Sequence, residues 1–152
     1  MQKQITVING PNLNMLGRRP VSLYGHERLE DINALCCSWG QEHDFRINFL
    51  QSNHEGQLVD WIQEACDEAA GLVINPAAYG HTSVALLDTL EIFTGPIVEV
   101  HLSNIHARED FRHNTYTATR AKAIIAGCGA MGYYFALDYL ARLFSNSGVL
   151  IK

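Results

Sequence analysis

Short apolar runs alternate with longer stretches in which apolar residues recur every three or four positions along most of this chain. The runs predict strands at Ile5–Ile8, Arg46–Leu50, Gly71–Asn75, Ile97–Leu102 and Ala123–Ala126. The amphipathic stretches predict helices at about Leu29–His43, Gly56–Ala70, Ser83–Phe93 and Tyr134–Phe144, with a short helical turn around Arg108. Strands alternating with helices is the rhythm of βαβ units, so the expected fold class is α/β. Five strands with four long helices suit a flavodoxin-like, doubly wound parallel sheet in three α/β/α layers. No repeat, low-complexity tract or linker interrupts the pattern. We therefore expect one catalytic domain over residues 1–152, with its core at about 4–144 and an uninformative tail at 145–152.

The fourth run departs from the rule that buried strands are apolar, because Ile97–Leu102 carries Glu99 and His101. Side chains alternate along a strand, so these two share a face. A carboxylate there can orient the imidazole, fix its tautomer and stabilise its charged form, which makes a proton donor. Ser103, Asn104, His106, Arg108, Arg112 and His113 follow, a density of donors and cations suited to an anionic, hydroxylated small molecule. Ligands of doubly wound folds bind beyond the carboxyl ends of the strands. Those ends share a chemistry: Asn9–Asn14, Gln51–Glu55, Asn75–Thr82 and His101–Asn104 all bring amides or hydroxyls to one edge. Neutral donors and acceptors can satisfy a polyol without burying many charges, although such residues also cap helices and form turns.

Composition removes whole classes of function. A net charge of −5 over 152 residues lacks the basic footprint of a nucleic-acid binder, and no apolar run approaches the length of a membrane span. The amino-terminal apolar stretch is too short for a secretory signal, so a cytoplasmic protein is expected. Cys36, Cys37, Cys66 and Cys128 show no C-x-x-C spacing and read as reduced core residues; the histidines lack a zinc-ligand pattern, so no metal is expected. The segment Gly127-Cys-Gly-Ala-Met-Gly132 fits a dinucleotide fingerprint, but too little chain follows for a second strand with a ribose-binding acid; it reads as a tight strand-to-helix turn. A flavin carrier would want a hydroxyl-rich loop after the first strand, and a receiver domain an acid at position 75. Asn9-Gly-Pro-Asn12 and Asn75 supply neither.

Leu16–Gly25 is a short loop bracketed by glycines, with Arg19 five residues before Tyr24. It reads as a movable lid. Lowering a phenol by two to three pKa units takes about 3 to 4 kcal/mol in favour of the phenolate, which close arginines can supply, so Tyr24 is a candidate general base. The alternative is a solvated, arginine-rich turn in which Tyr24 only anchors packing.

Four motifs, taken together, resemble the type II 3-dehydroquinate dehydratase family: Asn9-Gly-Pro-Asn-Leu-Asn-Met-Leu-Gly17, Gln51-Ser-Asn-His-Glu-Gly56, Asn75-Pro-Ala-Ala-Tyr79 with His81-Thr-Ser-Val-Ala85, and Val98–Arg108 with Phe111-Arg-His113. The resemblance spans residues 4 to about 144. It implies a flavodoxin-like subunit, assembled as a dodecamer of four trimers and using neither cofactor nor metal. The implied reaction is an anti elimination of water from 3-dehydroquinate through an enolate to give 3-dehydroshikimate, in the shikimate pathway or in quinate breakdown.

By the same resemblance Tyr24 is the base, Arg19 keeps it ionised, and Asn12 holds a water at the enolate oxygen. His101 is the acid and Glu99 its positioner. Asn75, His81, Leu102, Ser103 and Arg112 match substrate-binding positions, and Asp88 matches one that reaches a neighbouring subunit's site. Arg108 is read as a supporting group behind the site. The unrelated type I enzyme forms a Schiff base, and none of the three lysines, Lys3, Lys122 and Lys152, follows a site-forming run. The chain departs from the family pattern in its lid, where proline is at Pro20 rather than at Val21, which leaves the aim of Arg19 open and allows Arg18 a share of its role. Ala77 stands where glycine is usual, Gly80 where threonine is, and Leu87 where a polar or basic residue is common.

Overall fold

The computed structural model describes residues 1–24 and 26–145, the side chain of Tyr24 excepted. Five strands, β1 (Lys3–Asn9), β2 (Phe45–Gln51), β3 (Gly71–Asn75), β4 (Ile97–His101) and β5 (Ala123–Ala126), form one sheet in the order β2-β1-β3-β4-β5. Every adjacent pair is parallel. This is the flavodoxin-like order expected from the alternation. The connecting helices are α1 (Val21–Tyr24), α2 (Leu29–His43), α3 (Glu55–Glu68), α4 (Val84–Ile92) and α5 (Met131–Ser145).

Strand alternation sorts the core into two layers. Ile5 and Val7 of β1, Val73 of β3, and Val98 and Val100 of β4 face α2 and α5, meeting Ile32, Trp39, Tyr133 and Leu137. Ile8, Leu72, Ile74 and Ile97 face α3 and α4, meeting Leu58, Ile62, Leu86 and Leu90. Glu99 and His101 have the parity of Ile97 and belong to the second side; Asn9 and Asn75 have the parity of Val7 and Val73 and belong to the first. The two asparagines are register partners across β1 and β3.

The expected bounds of β3, β5 and α2 match the structure, while other ends shift for local reasons. Ser83 lies outside α4 as its cap, its side chain accepting the Leu86 N–H at 2.9 Å, and Phe93 closes the same helix. Ala69 and Ala70 fall beyond α3, where the Ala70 N–H pairs with the Gln4 carbonyl at 2.8 Å. Leu102 leaves β4 for a bend, and α5 begins three residues early, at Met131. Arg108 sits between two 3-10 turns, Ile105–Ala107 and Asp110–Arg112, and is itself extended. The turn at Gly127 is tight as expected: φ is +90° there and +56° at Gly129. Two cysteines depart from the core reading, because Cys37 and Cys128 are exposed, and Cys66 is only half-buried. Cys36 is in the core, where burial, then the neighbouring Cys37, pushes its thiol up to about 12 and leaves it inert.

Candidate active site

The carboxyl ends of β1, β3 and β4 open into a cleft lined by Asn12, Arg19, Asn75, His81, His101, Leu102, Ser103 and Arg112 among the predicted residues. Pro11, Leu13, Ala77, Ala78, Ile105 and Arg108 complete its walls. Among the described residues the two lysines stand elsewhere: Lys3 opens β1 and Lys122 precedes β5, both at the amino edge of the sheet; Lys152 lies outside the described residues.

The centre of the site is the couple on β4. Glu99 is 0% and His101 5% exposed, and the His101 Nε2 lies 3.0 Å from Glu99 Oε2. A carboxylate with no water around it needs protein donors. It has three: the His101 ring, the Thr115 hydroxyl at 2.8 Å, and the Thr117 hydroxyl, which donates to the other oxygen. Both threonines arrive from the segment between β4 and β5, from which no local pattern signals them. Since Nε2 is committed to Glu99, Nδ1 is the ring nitrogen left for a ligand. His81 stacks against this ring, with centroids 6.0 Å apart, and its own Nδ1 donates to the Asn114 carbonyl at 2.8 Å.

Asn12 is held at a left-handed φ of +68°, its N–H donating to Asn53 Oδ1 at 3.0 Å. Asn is one of the few residues that tolerate this conformation cheaply. Ala77, which also lines the cleft, takes a φ of +52°, and its N–H donates to Asn75 Oδ1 at 3.2 Å. That explains why glycine suits this position better. At Gly80 a Cβ would stand 2.8 Å from the Pro76 ring, so the local packing here is built around the missing side chain.

The segment before α2 contains more structure than a loop. A 3-10 turn, Leu13–Met15, leads through Gly17 at φ +88° to the single turn of α1, which Pro20 precedes and which its carbonyl helps close by accepting the Leu23 N–H at 3.1 Å. Proline is at home at a helix start. Arg19 lines the cleft while Arg18 is exposed, so the shifted proline leaves Arg19 directed to the site. The phenol of Tyr24 and the tail over residues 146–152 lie outside the described residues.

Three further expectations are refined. Arg108 is part of the cleft wall, not merely a group behind it; its Nη1 donates to Ser103 Oγ at 3.3 Å. Arg112 Nε donates to Glu109 Oε2 at 2.8 Å, and hydrogen bonding from the Glu109 backbone, then from Arg112, holds that carboxyl below its usual range. Some polar residues of the strand ends are turn formers after all: Asn104 Oδ1 accepts the His106 N–H, Ser52 Oγ accepts the His54 N–H, and His113 Nε2 bonds the Arg108 carbonyl. Asp88 is exposed on α4 and is not among the residues lining its own cleft. Among the described residues no three His, Cys, Asp or Glu side chains converge as a metal site would need, and no helix is long and apolar enough to cross a membrane.

Known proteins share both the sequence and the architecture. A family model described as dehydroquinase class II matches residues 3–141. The chain is 59% identical over 146 residues to 3-dehydroquinate dehydratase of Bartonella tribocorum, covering 96% of this chain and 98% of that one. It is 55% identical to 3-dehydroquinate dehydratase of Streptomyces avermitilis, covering 91% and 88%. The crystal structure of type II dehydroquinase from Propionibacterium acnes superposes with a TM-score of 0.90 at 42% identity, covering 93% of this chain and 98% of that one. With the family model spanning nearly the whole described fold, the chain belongs to the class II dehydroquinases.

Proposed function

We propose that the cleft at the carboxyl edge of the sheet is where this hydro-lyase removes water from 3-dehydroquinate to give 3-dehydroshikimate, as a step of the shikimate pathway or of quinate breakdown. The observation that carries the reading is the buried Glu99–His101 couple, which ends at a cleft furnished with guanidinium groups and amides. A ketone lowers the cost of removing a proton from the adjacent carbon, but hydroxide is a poor leaving group. The reaction therefore needs a base and an acid on different faces of the ring.

Tyr24, ionised with the help of Arg19, takes the proton and leaves an enolate. Asn12 holds a water against the enolate oxygen. The His101 imidazolium then gives its Nδ1 proton to the departing hydroxyl; water leaves, the double bond forms and the ketone is restored. Glu99 supplies the hydrogen bond that aims the ring. Asn75, His81, Arg112 and the Leu102–Ser103 strand end hold the substrate carboxylate and hydroxyls, with Arg108 added to that wall. Closure of the segment from Gly17 to Tyr24 over the ligand excludes water.

Asp88, exposed on α4 beside the exposed Val84 and Ile92, serves the cleft of a neighbouring copy in a dodecamer of four trimers. Free thiols at Cys36, Cys37, Cys66 and Cys128 suit a reducing compartment, and the cytoplasm is the proposed location. Purified protein should convert 3-dehydroquinate to an ultraviolet-absorbing enone, at an unchanged rate after chelation and after borohydride treatment with substrate. No enone would end the dehydratase reading; loss on chelation would demand a metal, and borohydride trapping an imine.

A further inference from the structure

Asn75 reaches the cleft at the end of a chain of buried hydrogen bonds that begins on the other side of β1. The Asn9 Nδ2 donates to the Leu50 carbonyl at 2.9 Å, which makes Asn9 Oδ1 the oxygen turned to α5. That oxygen accepts the Tyr133 hydroxyl proton at 2.7 Å. The phenol has one proton, so its oxygen can only accept from its other neighbour, and it accepts from Asn75 Nδ2 at 2.9 Å. Asn75 Oδ1 in turn accepts the Ala77 N–H at 3.2 Å. Each bond dictates the sense of the next. The second Nδ2 hydrogen of Asn75 is left over, and Asn75 lines the cleft.

We propose that Tyr133, a core tyrosine of α5, is a positioning residue for the reaction: its hydroxyl polarises the Asn9–Tyr133–Asn75 chain so that Asn75 meets the substrate as a hydrogen-bond donor and never as an acceptor. Tyr133 and Asn9 are fully buried and Asn75 nearly so, leaving the amide little exposure to water that could compensate for a reversed orientation. The register of β1 and β3 sets the two asparagines side by side on the face that α5 covers, so one phenol spans both. Burial raises the pKa of the phenol above its usual range, so the proton that sets the direction is retained at every working pH. An amide donor at this point selects a hydroxyl or carboxylate oxygen and rejects an analogue that presents a donor there.

The inference rests on the dehydratase reading of the cleft, and the test separates the two. Steady-state turnover of 3-dehydroquinate is compared for wild type, Tyr133→Phe, Asn75→Ala, the double variant, and Tyr134→Phe as a neighbouring control. Loss of one directed hydrogen bond predicts a KM about tenfold higher for Tyr133→Phe, with kcat within about twofold. In the Asn75→Ala background the same change should add less than about twofold, because the group it positions is gone. Tyr134→Phe should match wild type. A wild type without activity overturns the dehydratase reading. An active wild type with an unchanged KM in Tyr133→Phe, or an equal effect with and without Asn75, overturns the positioning role. Should Tyr133→Phe fail to fold, Asn9→Leu removes the acceptor that holds the phenol's proton: a KM raised about tenfold supports the chain, and an unchanged KM refutes it.

Discussion

The two halves of the cleft are built in opposite ways. On one side, β4 is buried along its whole length and paired on both edges, and it ends in His101, aimed by a carboxylate that has three donors. On the other, in the segment from Leu13 to Leu23 only Leu13 and Leu16 are buried, and the backbone bonds from Met15, Leu16, Arg18 and Leu23 all reach back just three residues. Beyond Leu16, the last residue of this segment anchored in the core, such short-range bonds let the chain move with few long-range contacts to break, whereas a strand paired on both edges cannot. The difference matches the two tasks proposed. An acid that must be aimed belongs in the core; a base that must admit substrate and then exclude water belongs on a segment held by short-range bonds.

The comparison breaks most visibly at the two proton-transfer groups. Tyr24→Phe and His101→Ala should each lower kcat by about 10²–10⁴-fold in the enone assay. If either keeps nearly the full rate, its half of the cleft has no chemical role. A smaller effect sharpens the view of the rigid half. Glu99→Gln removes the charge behind His101 and should cost about ten- to a hundredfold in kcat, while Thr117→Val, which removes one donor to Glu99, should cost about fivefold. An equal loss from both would show that filling the space matters more than the charge. The smallest effect concerns the wall between the halves: Ala77→Gly relieves a left-handed alanine and should raise stability by about 0.5–1 kcal/mol, seen as a melting temperature a few degrees higher. A lower melting temperature would mean that the Ala77 methyl packs better than the strain costs.

Much of this molecule can be read from residue order, and the limits are physical. Continuous apolar runs in β3 and β5 and the period-3.6 face of α2 mark those elements to the residue. Ends such as Ser83 and Ala69 depend on single caps and cross-strand bonds, which the pattern does not encode. Glu99 and His101 could be paired from their spacing alone, since i and i+2 of a strand must share a face. Thr115, Thr117 and Tyr133 could not, for they reach their partners only once the fold brings β4 beneath the following segment and α5 over β1 and β3. Arg108 could be placed in the polar cluster after β4 but not on the cleft wall itself, because whether an arginine on an irregular segment faces a cleft or a neighbour depends on the turns that flank it.

The central claim is that a phenolate and an aimed imidazole flank one ring, and a crystal structure of the protein with a non-reacting cyclic analogue of 3-dehydroquinate tests it most directly. The account predicts the Tyr24 oxygen and His101 Nδ1 on opposite faces of the bound ring, each within about 3.2 Å of a ring substituent or carbon or joined to it through one water. A ligand that sits on His101 while the Tyr24 oxygen stays out of reach, or one that approaches the imidazole from the Glu99 side, would contradict it.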